Sequence, residues 1–127
     1  MEERSGLDNT MDAPAVPRLV GDAFADAAAA GSVWKLDPAE RGLDANVIVL
    51  PAGDEIGTHV GPALDVLIVV LEGSGALETE TGVVALEPGG IIWLPAHSRR
   101  RFVAGADGVR YFSVHARKPS LSIRPRP

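Results

Sequence analysis

Apolar residues recur along this chain first at a helical spacing and then at a strand spacing. Over residues 18–30, Leu19, Ala23 and Ala27 share one face, with Val20 and Phe24 beside it. Pro17 suits a first turn and Gly31 a C-terminal stop, so the spacing predicts a short helix there, although Gly21 weakens it. Ahead of it, residues 1–17 hold Gly6, Asn9, Pro14 and Pro17 without sustained periodicity and read as a flexible arm. Ser32–Leu36 is a short strand candidate. From Asn46 onward the pattern is one of strands: Asn46–Leu50, Asp65–Leu71, Ala76–Thr81, Val83–Leu86, Ile91–Leu94, Arg100–Val103 and Val109–His115. Turn signals separate them at Pro51-Ala52-Gly53, Glu72-Gly73-Ser74-Gly75, Gly82, Pro88-Gly89-Gly90 and Gly105 to Gly108. About eight short strands so spaced predict an all-β barrel or sandwich, one domain over residues 18–117. The tail Lys118–Pro127 carries three prolines and is excluded from any central strand.

Composition narrows the class. The chain has 127 residues, 46% hydrophobic and 23% charged, enough apolar material for a core and too much for a disordered chain. The run Val66–Leu71 is far short of the roughly 20 residues that span a bilayer, so no membrane partner is expected. The first thirty residues hold no apolar core of a secretory signal, and cysteine is absent. Together these favour a cytoplasmic protein without disulfides, thiolate metal sites or cysteine nucleophiles. The net charge of −5 hides a split. Residues 1–98 carry 4 basic and 16 acidic side chains, and residues 99–127 carry 8 basic and 1 acidic. An acidic molecule repels a polyanion, so the basic end is expected to rest on the acidic remainder, and no nucleic-acid partner is expected.

Two segments read together. The first runs from Pro51-Ala52-Gly53 through His59, Gly61, Asp65 and Val66 to Glu72-Gly73; the second is Pro88-Gly89-Gly90-Ile91-Ile92-Trp93-Leu94-Pro95-Ala96-His97-Ser98-Arg99-Arg100-Arg101-Phe102. They resemble the two motifs of the cupin superfamily, G-x5-H-x-H-x3,4-E-x6-G and G-x5-P-x-G-x2-H-x3-N. The resemblance covers about residues 46–115, and Gly53, His59, Gly73, Gly89 and Pro95 fall where the motifs place them. It implies a double-stranded β-helix, a jelly-roll barrel with a pocket inside one end and a dimeric assembly, here preceded by a short N-terminal helix or arm.

The resemblance fails at the chemistry. Metal-binding members present two histidines and a glutamate from the first motif and a histidine from the second. Here those positions hold His59, Gly61, Val66 and Arg100, while His97 replaces a glycine and Ala104 an asparagine. One imidazole cannot hold a transition metal in the family's manner, and a fixed cation at a ligand position repels one. No cofactor is expected. The leading reading is a metal-free barrel that binds a small anionic molecule, with His59, Arg100, Phe102 and Trp93 as candidate ligand-binding residues.

Rival readings stay open. Arg100 shares inward strand parity with Phe102, while Arg99 and Arg101 point outward. Its partner is then either a ligand anion or an internal carboxylate such as Asp65, Glu55 or Glu78. A metal-independent isomerase or epimerase would use His59 and Asp65 as a base pair, with Tyr111 as the proton donor. A rebuilt metal site would draw on His59, His97 and His115. For assembly the expected partner is a second copy, with Val33–Leu36 as the candidate interface strand.

Overall fold

The computed structural model describes residues 15–26 and 29–117 and is built of strands. They are β1 Gly31–Lys35, β2 Leu43–Leu50, β3 Glu55–Val60, β4 Val66–Glu78, β5 Val83–Leu86, β6 Ile91–Leu94 and β7 Arg99–Ala116. The described residues contain no helix, and so none long and apolar enough to cross a membrane. The predicted arm and tail lie almost wholly outside the described residues.

Two long strands organise the rest. The first half of β7 pairs with β3 and the end of β4; its second half pairs with β2 and the start of β4. β4 in turn pairs with β6 through Val66–Val69 and with β5 through Gly75–Glu78. Every pairing is antiparallel. One sheet therefore runs β1-β2-β7-β4-β6 and the other β3-β7-β4-β5, sharing their two long strands. Such strands must bend where they pass between sheets. The bend falls where Gly73 faces Val109 while Gly75 faces Ala104.

This corrects two predicted turns. Glu72–Gly75 and Gly105–Gly108 do not reverse the chain; β4 and β7 continue through them. A Cβ on Gly73 would fall on the Gly108 carbonyl oxygen, and one on Gly105 on the Ser74 hydroxyl. These glycines clear the crossing of two backbones at the corner of the barrel. β3 carries polar and glycine residues, Glu55-Ile56-Gly57-Thr58-His59-Val60, and has no apolar run to announce it.

The core fills the space between the sheets. Ile48, Tyr111 and Val70 form one cross-strand row, and Ile56, Phe102 and Leu77 face them from the other sheet. Phe102 and Tyr111 stack with ring centroids 5.2 Å apart and planes 8° apart, tying sheet to sheet. Leu50, Leu86 and Leu94 are buried around them, each worth about 1.5–3 kcal/mol in transfer terms.

The helix predicted over 18–30 is absent from its described part, residues 18–26 and 29–30. Its carbonyls are claimed by the barrel instead. Arg110, only 2% exposed, donates to the carbonyls of Ala23 and Ala25 at 2.9 and 3.2 Å and to Glu72 at 3.2 Å. The Trp34 indole donates to the Val20 carbonyl at 2.9 Å, and Gly21 lies so close to that ring that a Cβ would overlap it. A helix of this length is marginal in isolation and loses to those contacts.

Of the basic residues from Arg99 to Arg117, three rest on glutamates and two, Arg100 and Arg117, on neutral oxygens. Arg101 bonds Glu78 at 2.7 Å and Glu55 at 2.8 Å, Arg99 lies 3.6 Å from Glu80, and Arg110 holds Glu72.

Candidate functional site

One end of the barrel gathers the residues that the motifs single out. His59 on β3 is the direct cross-strand partner of Arg100 on β7, so both side chains leave the same face. Arg100 is 4% exposed. Its Nε donates to the Ser98 carbonyl at 3.2 Å, and one terminal nitrogen donates to the Pro95 carbonyl at 3.2 Å and the Ser98 hydroxyl at 2.6 Å. Among the described residues no carboxylate reaches it. Glu55 and Glu78 are held by Arg101, and Asp65 accepts from the Ala96 amide at 2.9 Å. The guanidinium is therefore a buried cation held by neutral oxygens alone.

The turn that supplies those oxygens is pinned. The His97 amide donates to Pro62 at 2.8 Å, the Gly61 amide to Ser98 at 2.9 Å, and Asp65 braces Ala96. His97 takes a φ of +62°, keeping the left-handed backbone of the glycine that the resemblance places there. Gly61 forms the cradle: a Cβ at that position would fall on the Arg100 guanidinium. The glycine and the arginine, each standing where a metal ligand would, thus fit one another. Sequence reading found Arg100 and the motif residue Pro95 but not that the Pro95 carbonyl and Ser98 hold the guanidinium.

Burial holds the Arg100 pKa below its usual value, and Tyr111 pulls it partly back; the group stays charged. Tyr111 is 5% exposed, and burial pushes its phenol up to about 12 against the opposing pull of the Arg100 charge. A raised folded pKa means that the folded state keeps a proton which the unfolded chain loses above about pH 10. The linked stability is complete below that pH and is lost as the pH rises toward about 12, a decline of about 2–3 kcal/mol. Tyr111 is the only tyrosine in the chain, so a phenolate absorbance titration with its midpoint near the free value of about 10 would refute the burial argument.

His59 is exposed, and its Nδ1 donates to the Gly57 carbonyl at 2.8 Å. A carbonyl only accepts, so Nδ1 bears the proton and Nε2 carries the lone pair. Phe102 is buried in the core and stacks on Tyr111. Asp65 braces the turn and is not hydrogen-bonded to His59. Trp93 stands 63% exposed on the outer face, paired with Leu67, away from the barrel interior. His97 lies exposed in its turn, and His115 sits at the end of β7 opposite Asp44.

Metal-binding members of the family that the motifs resemble hold an ion at these positions, and the residues here do not fit one. Gly61 has no donor, Val66 is buried aliphatic, and Arg100 is a cation. Among the described residues no three His, Asp or Glu side chains are placed to hold an ion.

No protein-family model and no curated protein matches the sequence. Solved structures do. The cupin domain of Schizosaccharomyces pombe Cnp3 aligns at 20% identity and a TM-score of 0.59, over 67% of this chain and 59% of that one. A sugar phosphate isomerase of the cupin superfamily from Silicibacter pomeroyi aligns at 22% and 0.57, over 62% of this chain and 53% of that one. The polyketide cyclase RemF from Streptomyces resistomycificus aligns at 22% and 0.57, over 65% and 60%. The alignments thus span little more than half the length of those proteins. With its two sheets sharing β4 and β7, the chain has the cupin fold, a double-stranded β-helix.

Proposed function

We propose that this cupin barrel is a metal-independent binding module for a small anionic molecule, seated at the barrel end against Arg100 and His59. The observation that carries the reading is the buried Arg100 guanidinium, which no carboxylate neutralises among the described residues. A desolvated cation held only by carbonyls and a hydroxyl gains most from an incoming carboxylate or phosphate. The test is a thermal-shift screen of small carboxylates and phosphates on the wild-type protein and on Arg100→Met; binding unchanged in the variant refutes the reading. Purified protein is also expected to lack stoichiometric transition metal. Elemental analysis that finds about one iron, zinc or manganese per chain, lost in His59→Ala, would overturn that expectation.

One observation favours a second reading, an isomerase- or epimerase-like enzyme. The His59 tautomer leaves Nε2 free as a base; the acid of that reading is Tyr111, whose raised pKa makes it a weaker proton donor. Asp65 has no part in that version, because it is committed to Ala96. The isomerase and cyclase among the structural neighbours show that such barrels host catalysis elsewhere; the likeness to this chain is one of fold.

The proposed partner is a second copy of the chain. On the outer face of β4 and β6, Leu67, Ile91 and Trp93 are exposed, with half-buried Val69, Phe112 and Val114 beside them, while Val47 in the same row is already covered within the chain. These rows carry no charge, which suits a flat face meeting its own copy across a two-fold axis. Because Trp34 packs on Phe112, the proposed interface is centred on β6 and β4 rather than on the Val33–Leu36 strand expected from the sequence. Light scattering is expected to give twice 13.3 kDa, and Trp93→Asp the single mass; a monomeric wild type at tens of micromolar would count against it.

A further inference from the structure

A polar cleft lies where β1, β2 and the end of β7 come together. Its volume is about 300 Å³, and Lys35, Arg41, Asp44, Asn46 and His115 supply its polar groups. It includes neither Arg100 nor His59. Lys35 is the cross-strand partner of Asn46, and Asp44 that of His115, so side chains from three strands converge on one face.

Most of the cleft's own charge is already paired. Arg41 gives its Nε to Asp44 at 3.0 Å and a terminal nitrogen to the Pro38 carbonyl at 3.1 Å. The Arg41 and Asp44 charges thereby offset one another, and two of the three guanidinium nitrogens are engaged. Lys35 has no carboxylate within ion-pair distance among the described residues and is the cleft's surplus cation. The donors that remain are separate points: an ammonium on β1, an amide on β2 and an imidazole on β7. Donors arriving singly from three directions suit the oxygens of a tetrahedral group better than those of a flat one.

His115 sets the condition. Its Nδ1 donates to the Ala116 carbonyl at 2.9 Å, so the neutral ring turns a lone pair outward from Nε2, and only the doubly protonated ring offers a second donor. The charged groups around it are Asp44 opposite on β2, Lys35 on β1, Arg41 in the turn before β2, and Arg117, which is turned to the Ala39 carbonyl. On the β4 side the register begins at Leu67 opposite Val114, both apolar.

We propose that this cleft binds the tetrahedral oxyanion of free phosphate or of a small phosphate monoester, held by Lys35, Asn46 and the protonated His115. The inference goes beyond the Arg100 reading and stands on different residues. Sulfate is the first probe, because its charge does not change across the pH range of histidine. Isotope-labelled amide spectra should show Asn46 and His115 moving on sulfate addition, with binding about tenfold tighter near pH 5.5 than near pH 8. Lys35→Gln should weaken binding about tenfold, and His115→Gln should remove the pH dependence. Both residues lie at the barrel rim, and an unchanged spectrum elsewhere verifies the fold of each variant. An arm with inorganic phosphate against glycerol phosphate separates the sources: tighter binding of the ester marks a metabolite, equal binding the free ion. The proposal is overturned if these amides do not move at tens of millimolar sulfate, or if Lys35→Gln binds as wild type. Loss of the same movements in Arg100→Met would also overturn it, by placing the anion at the other site.

Discussion

Gly73→Val is expected to cost about 3–5 kcal/mol of stability and to lower the melting temperature by at least about 12 °C. Gly73 has a φ of +84°, in the left-handed region that a β-branched residue rarely enters. That strain accounts for about 1–2 kcal/mol. The larger part is the close approach, because a Cβ there falls on the Gly108 carbonyl oxygen, which is backbone and cannot rotate away. Gly108 is itself hemmed in by the Leu50 carbonyl, so the corner has no room to yield on that side. Gly53 supplies the control. Its φ is +80°, yet nothing lies within 4 Å of a Cβ built on it. Gly53→Val should therefore show the conformational cost alone. Calorimetry that finds equal losses in the two variants would remove the argument that the barrel corner is a backbone crossing.

That corner also explains what the sequence concealed. Strands β5 and β6 are bounded by turns that do reverse the chain, and their predicted limits, Val83–Leu86 and Ile91–Leu94, match the observed ones. Within β4 and β7, glycine serves an approach between distant segments. One-dimensional punctuation cannot tell that use from a turn, so each long strand read as two short ones. The N-terminal helix misled for a related reason: the apolar spacing of Leu19, Ala23 and Phe24 is real, but Arg110, some 85 residues away in sequence, takes the carbonyls a helix would need. Strand parity was more legible. Alternation alone puts Arg99 and Arg101 outside and Arg100 inside, and the structure finds glutamates on the first two and burial of the third. The site's partners were not legible, since two are backbone carbonyls, which leave no trace in residue identity.

Arg100→Met is expected to keep the fold and to lose an anionic ligand by roughly 30- to 1000-fold, the equivalent of about 2–4 kcal/mol for a desolvated charge pair. Methionine fills much of the arginine stem volume and takes the buried charge away. The groups it leaves behind are the Ser98 and Pro95 carbonyls and the Ser98 hydroxyl, all neutral, so no carboxylate is stranded. Their lost bonds set the stability cost at about 1–3 kcal/mol. Gly61→Ala gives a second handle, because its Cβ takes the space of the guanidinium while the arginine stays in the chain. A flexible side chain can swing aside, so that variant should fold, and it should bind the same ligand at least about tenfold more weakly. Weakening in both variants, with melting temperatures within several degrees of wild type, places the anion on the guanidinium. The opposite pattern, ligand binding intact in both and a large loss of stability in Arg100→Met, would make Arg100 a brace between β7 and the 95–98 turn.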